Sequence, residues 1–362
     1  MININKNRKT SLEDNTYKHY IVRKKFIIIA LLTCTIIAFF WTVNIGAINT
    51  KPKQVILAIL GLGDTKSNSI VRNIRMPRAV AGILAGAGLS VAGCIMQNNL
   101  RNPLASPSTL GISNAAAFGA NVAIILLGAG TIESTGLGEV QIFNPYIVTI
   151  CAMFFSIGST LLIISLSKIG HFSTQSIILA GVALSSLFSA STMIIQYFSG
   201  DTTKVASVIF WTFGDLGRAT WNEILIMGIL IAISITYFIY HRWDYNALDS
   251  GDDTAKSLGV NVDRIRLCGM FVASIITAVI VSFLGIIGFI GLICPQIAKK
   301  LMGSDNRYII PASAIMGSLI LLISDTLSRI ILSPQILPVG AVTSFLGAPL
   351  FLYFLIKGDA DK

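Results

Sequence analysis

Charge is scarce in this chain. Only 12% of its 362 residues are Asp, Glu, Lys or Arg, against about 25% in a soluble protein, which excludes an ordinary water-exposed globule. Histidine is scarcer: His19, His171 and His241 are the whole complement, and no His-x-x-His or Glu-x-x-His pair is present to hold a metal. The five cysteines, Cys34, Cys94, Cys151, Cys268 and Cys294, are spread singly without Cys-x-x-Cys spacing. That excludes a disulfide scaffold and argues against a haem or metal centre, leaving the thiols as small buried hydrophobes. A phosphate-cradling loop is missing too. The segment from Gly61 to Ser67 imitates one, but Leu60 and Thr65 stand where its two required glycines belong. No ATP hydrolysis by this chain is expected, and no catalytic residue, metal ligand set or cofactor.

What the chain has is apolar length. Hydrophobic residues make up 54% of it, and the mean hydropathy is +0.75. One membrane span takes about 20 apolar residues. Runs of that quality fall near 26–43, 79–97, 109–129, 145–167, 176–198, 222–240, 267–286, 287–302, 309–331 and 338–356. The expected fold is an all-α polytopic membrane protein of about ten transmembrane helices in a tightly packed bundle. Residues 1–25 and 358–362 are read as tails flanking a single membrane domain over 26–357. The first run follows Lys18, Arg23, Lys24 and Lys25; it is longer than a signal-peptide core and has no small-residue cleavage site, so it is read as a retained span.

The net charge of +10 does not come from one basic stripe, because Lys and Arg occur in twos and threes between apolar runs. Nucleic acid is therefore not an expected partner. With ten spans both tails share a side, and 18 of the 27 Lys and Arg fall there, including Arg101, the 242–266 loop and Lys299 to Arg307. The positive-inside rule makes that side, and both termini, cytoplasmic. Lys66, Arg72, Arg75 and Arg78 break the pattern on the other side. They flank Pro77, which suits a first helical turn, and with Arg329 they suggest a stiff positive rim, suited to carboxylates of an acidic partner or to lipid phosphates. Asp325 is the best candidate for an ion-coupling carboxylate, although Arg329 four residues on shares its helix face.

Small residues recur where helices need close approach: Gly82, Gly86, Gly88 and Gly93 in one run, Gly285, Gly288 and Gly291 in another. Asn102 to Pro107 should turn or re-enter, since Pro103 and Pro107 remove two backbone donors. In the 242–266 loop, Asp252 and Asp253 are candidate N-caps, Thr254 to Leu258 could form a short helix, and Gly259 fits the position past its end. Leu258, Val260 and Val262 would then be exposed on a capped knob. It either docks into a groove of a soluble partner or lies on the bilayer surface.

The ordered motifs Arg75-Met-Pro-Arg78, Gly86 to Gly93, Gln97, Arg101 to Pro107, Leu110 to Ser113, Leu179 to Leu184, Ser257 to Val260, Gly288 to Pro295, Leu337 to Thr343 and Gly347 to Pro349 resemble the FecCD family over roughly residues 70–356. These are permease subunits of ABC importers for iron-siderophores, haem and cobalamin. The resemblance implies ten helices per subunit and pairing as a homo- or heterodimer around a translocation path. It also implies two cytoplasmic ATP-binding subunits, an extracytoplasmic substrate-binding protein or lipoprotein, and a multi-pass place in the cell membrane. Residue by residue, it implies binding-protein docking at Arg75, Arg78 and Arg329. ATPase coupling falls at Ala255, Ser257, Leu258, Gly259 and Val260, and a cytoplasmic gate near Thr174 and Gln175. Gln296, where many members have His, and Cys294, usually aliphatic, depart from the pattern. Iron-siderophore import by alternating access is the expected function. Haem or cobalamin cargo is the alternative, and an ion-coupled secondary transporter is the rival of another class.

Overall fold

The computed structural model describes residues 2–46, 52–129, 145–169, 174–333 and 335–360. His171, Lys51 and the last two residues of the expected C-terminal tail lie outside the described residues. The described elements are helices: α1 (Ile2–Asn44), α2 (Pro52–Leu60), α3 (Thr65–Ile70), α4 (Met76–Leu100), α5 (Ile112–Asn121), α6 (Pro145–Ile169), α7 (Thr174–Ser199), α8 (Thr202–Thr212), α9 (Trp221–Tyr240), α10 (Arg242–Asp249), α11 (Asp252–Ser257), α12 (Val262–Leu284), α13 (Ile290–Met302), α14 (Asn306–Ile330) and α15 (Val339–Ala360). Wide, π-type turns at Val71–Arg75 and Val122–Leu126 join α3 to α4 and extend α5.

Seven helical segments are long and apolar enough to cross a membrane, and Ile112–Leu126 and Val339–Tyr353 are shorter apolar helices. Together with α13 they coincide with the ten apolar runs. The split between the seventh and eighth runs has a backbone cause: Gly285 ends α12 at φ 78° and Phe289 precedes α13 at φ 65°, a left-handed value that a bulky residue rarely adopts. Asn102 turns the chain as expected, its side-chain oxygen accepting from the Leu104 N–H at 2.9 Å.

Some features were not legible in hydropathy. Helix α1 begins at Ile2 and runs unbroken into the first span, so the polar N-terminal stretch continues the helix. Helices α2, α3 and α8 lie in stretches read as connections. Each is too short to span; α8 is nucleated by Asp201, whose carboxylate accepts from the Thr203 and Lys204 amides at 2.9 and 3.3 Å. Helix α15 continues to Ala360.

The core is built around α4, which is buried along most of its length and packs against α14, α12, α13 and α9. The small residues do what lipid demands of a packing face. A Cβ on Gly86 would fall on the backbone of Gly317 in α14, and one on Gly93 would overlap the carbonyl of Gly291 in α13. Helix α7 is the opposite case, with Leu179, Met193, Tyr197 and Phe198 exposed. Such a face belongs against lipid or another chain.

Candidate coupling and docking sites

Two clusters of charge close the two ends of α4. The first gathers the C-terminal ends of α1 and α14 around the N-terminal end of α4. The last carbonyls of any helix lack intrahelical donors, and in α1 two arginines supply them. Arg75 donates to the carbonyls of Val43 and Asn44 at 3.2 and 2.9 Å. Arg329 donates to those of Ile45 and Thr42 at 2.6 and 3.2 Å, which also places positive charge at the negative end of the α1 dipole. Arg78 donates to Asp325 at 2.8 Å and lies 3.4 Å from the half-exposed Asp215. Asp325 also pairs with Arg329 at 3.1 Å.

Arg75, Arg78 and Arg329 are thus brought together, but as an internal lattice and not as the expected open rim. Arg75 and Arg78 are 5% and 9% exposed, and the Arg329 side chain 8%. Apart from the Arg329–Asp325 pair, four residues apart, their acceptors lie more than thirty residues away in sequence, so no local pattern announced them. Exposed positive charge at this end comes from Lys53, Lys66 and Arg72. Asp325 is wholly buried and paired with two arginines, so its carboxylate is not free for an ion-coupling role.

A third polar cluster sits where the last turn of α4 meets α13. Pro295 has no N–H to give to the carbonyl four residues back. Gln97 answers this deficit by donating to that carbonyl, of Gly291, at 3.5 Å and to the neighbouring Leu292 carbonyl at 2.9 Å, and Gln296 donates to Gln97 at 2.7 Å. Gln296 therefore holds the side chain that repairs the helix.

At the other end stands the knob. Helix α11 begins two positions before the expected Thr254: Gly251, at φ 122°, is the cap, and Asp252 and Asp253 are the first two helical residues. Its C-terminal end is as expected. Gly259 sits at φ 82°, its N–H reaching the Lys256 carbonyl and that of Val260 the Ala255 carbonyl, each at 3.0 Å, a Schellman closure. Ala255 is fully buried, Ser257 and Gly259 are exposed, and Leu258 is 67% exposed at the tip. Val260 is half-buried and Val262, expected at the surface, is buried in the first turn of α12.

The knob is tied to the bundle by charge. Asp252 accepts from Arg266 in α12 at 3.0 Å and from Arg101, which follows α4 in a left-handed conformation at φ 44°. Arg101 also donates to the Leu248 carbonyl at 2.8 Å. Next to it, Asn246 of α10 donates to Asp305 at 3.0 Å and accepts from the Asn306 amide at 2.7 Å. Burial pushes the Asp249 carboxyl up, with Lys299 and the Asn306 side-chain NH2 acting against the shift. Thr174 and Gln175 are the first residues of α7, and Gln175 is exposed. No group of three or more metal-ligating side chains occurs among the described residues.

Over residues 34–357 the sequence matches the model of the FecCD transport family. It is 50% identical over 341 residues to a Methanocaldococcus jannaschii protein named as an ABC transporter permease, covering 94% of this chain and 97% of that one. It is 34% identical over 338 residues to the Fe(3+)-citrate import system permease protein YfmE of Bacillus subtilis, covering 92% and 96%. The fold superimposes on a solved protein described as a metal-chelate type ABC transporter in an inward-facing conformation, with a TM-score of 0.80 and 26% identity over 92% of this chain and 99% of that one.

Proposed function

Because the chain belongs to the FecCD transport family and is a multi-pass ABC transporter permease of the metal-chelate type, we propose that it carries an iron-siderophore complex into the cell by alternating access, driven by ATP hydrolysed on separate subunits. The observation that carries this reading is the knob. A Schellman-closed helix holding an exposed leucine on an otherwise polar connection is built to enter a groove of a soluble protein, and the bilayer-surface alternative leaves its ionic ties to α4 and α12 without a purpose.

In this reading the knob end, with both termini, faces the cytoplasm, in line with the excess of Lys and Arg there. Two ATP-binding subunits dock on the knobs of two permease chains, through Ala255 to Val260. Thr174 and Gln175 form the cytoplasmic gate at the start of α7. A substrate-binding protein docks outside on the arginine end: Lys53, Lys66 and Arg72 meet its carboxylates first, and Arg75, Arg78 and Arg329 form the positively charged frame beneath. The membrane is the cell membrane.

The iron reading rests on the iron-citrate relative and the metal-chelate type structure; haem and cobalamin are the family's other cargoes. Reconstitution with the cognate ATPase and binding protein in vesicles tests it. Radiolabelled ferric siderophore should accumulate only when ATP and both partners are present. Accumulation by this chain alone, driven by an ion gradient, overturns the ABC reading. Transport of haem or cobalamin with exclusion of ferric siderophore overturns the cargo.

A further inference from the structure

Asp252 stands on the knob but not at its tip, and its carboxylate is directed at the membrane helices. It meets Arg266 of α12 at 3.0 and 3.3 Å through its two oxygens, and it meets Arg101 at the end of α4. The Arg266 side chain is 8% exposed, so its charge depends on this acceptor. Arg101 is a non-glycine residue held in the left-handed region, a conformation that persists only where the surroundings compensate its cost. The compensation is visible: from that backbone its guanidinium spans the Leu248 carbonyl and Asp252 at once. On the other flank, the knob's C-terminal turn borders a cavity of about 390 Å³ lined by Tyr237, His241, Val260, Arg264 and Cys268 among others. The knob is thus loosely backed there and firmly pinned at Asp252.

We propose that Asp252 is the transmission pin of the transporter, the positioning residue that passes movement of the ATPase-held knob to α4 through Arg101 and to α12 through Arg266. The proposal rests on the reading of the knob as the ATPase contact. Helix α4 has 25 residues, about 37 Å of rigid rod at 1.5 Å per residue. It leads from Arg101 to the lattice of Arg78, Asp325 and Asp215 at the opposite end. One ion pair at the knob therefore acts on the whole length of the bundle's central helix, and a coupling route of this kind needs only contiguous rigid parts with two arrangements.

The test uses the assembled importer in vesicles with its ATPase and binding protein, and compares Asp252→Asn, Asp252→Glu, Arg101→Gly and the double variant Asp252→Asn with Arg101→Gly. Asp252→Asn should keep the ATPase bound on co-purification and lower the cargo moved per ATP hydrolysed about tenfold. Asp252→Glu should recover most of that ratio. Arg101→Gly relaxes the backbone and removes the pin's partner, so it should uncouple to a similar degree, and the double variant should be no worse than the singles. Wild-type cargo per ATP in Asp252→Asn overturns the proposal. So does loss of ATPase binding in that variant, which makes Asp252 a support for the knob's shape. Leu258→Asp separates the underlying reading: retention of the ATPase by that variant sinks the knob as docking surface, whatever Asp252 does.

Discussion

Arg78 and Asp325 are 247 residues apart in sequence and 2.8 Å apart in the structure, with the carboxylate entirely shielded from solvent. This contact, together with the Arg329 pair, turns what reads in sequence as an exposed positive rim into a closed internal lattice. A buried carboxylate with two guanidiniums is stable only while both signs remain.

Asp325→Asn should therefore destabilise the protein by on the order of 3–5 kcal/mol, since it leaves the buried Arg329 without its anion and Arg78 with only the half-exposed Asp215. Arg78→Glu should do so at least as strongly, as it sets two carboxylates together. Thermal melting of the purified protein in detergent measures both, and a melting temperature within a degree or two of wild type would contradict the lattice. Loss of binding-protein docking in Arg78→Glu can be attributed to the contact itself only after that measurement.

Gly93 packs against the backbone of Gly291. Gly93→Ala should cost roughly 1–3 kcal/mol or more, because the methyl can be placed only by separating α4 from α13. Expression and melting temperature report the loss. Gly158, whose added Cβ meets nothing within 4 Å, is the control position, and Gly158→Ala should melt no lower than wild type.

Leu258 is solvent-facing, so Leu258→Asp should leave the melting temperature nearly unchanged while abolishing co-purification of the ATP-binding subunit. A parallel loss of thermal stability would mean that the tip is packed within the chain.

Asp305 caps α14, accepting from the Arg307 amide at 3.0 Å. Asp305→Ala should cost about 0.5–2 kcal/mol. Burial acts to raise its pKa, but hydrogen bonds from Arg307 and Asn246 hold it below the ordinary value. The carboxylate's contribution is therefore present above the unfolded pKa of about 3.9 and is lost as pH falls through the lower folded value. An acid melt of wild type beside Asp305→Ala checks the sign: the difference between them should shrink only on the acid side of the ordinary carboxylate range.

Much of this molecule is determined locally. Hydropathy alone located the ten apolar runs, because a bilayer imposes length and apolarity on each segment separately. Gly86 and Gly93 announced close packing because only a missing side chain permits it, and Gly259 announced the end of α11 because a left-handed position favours glycine. The start of α11 was read two residues late because Gly251 can cap without a side chain, leaving Asp252 free to bind elsewhere. The continuation of α1 through polar residues carried no hydropathic signal.

Charge partners were decided otherwise. Nothing near Arg75 or Arg329 in sequence reveals that the carbonyls ending α1 await them, nor that Asp252 will face Arg101 rather than its own helix terminus. Those acceptors are supplied by helices that meet only after the bundle has assembled. Apolar length, glycine and caps act within a few residues of the chain, and the sequence alone determines them. Which buried charge meets which depends on how α1, α4, α12 and α14 come together, and only the tertiary structure decided that.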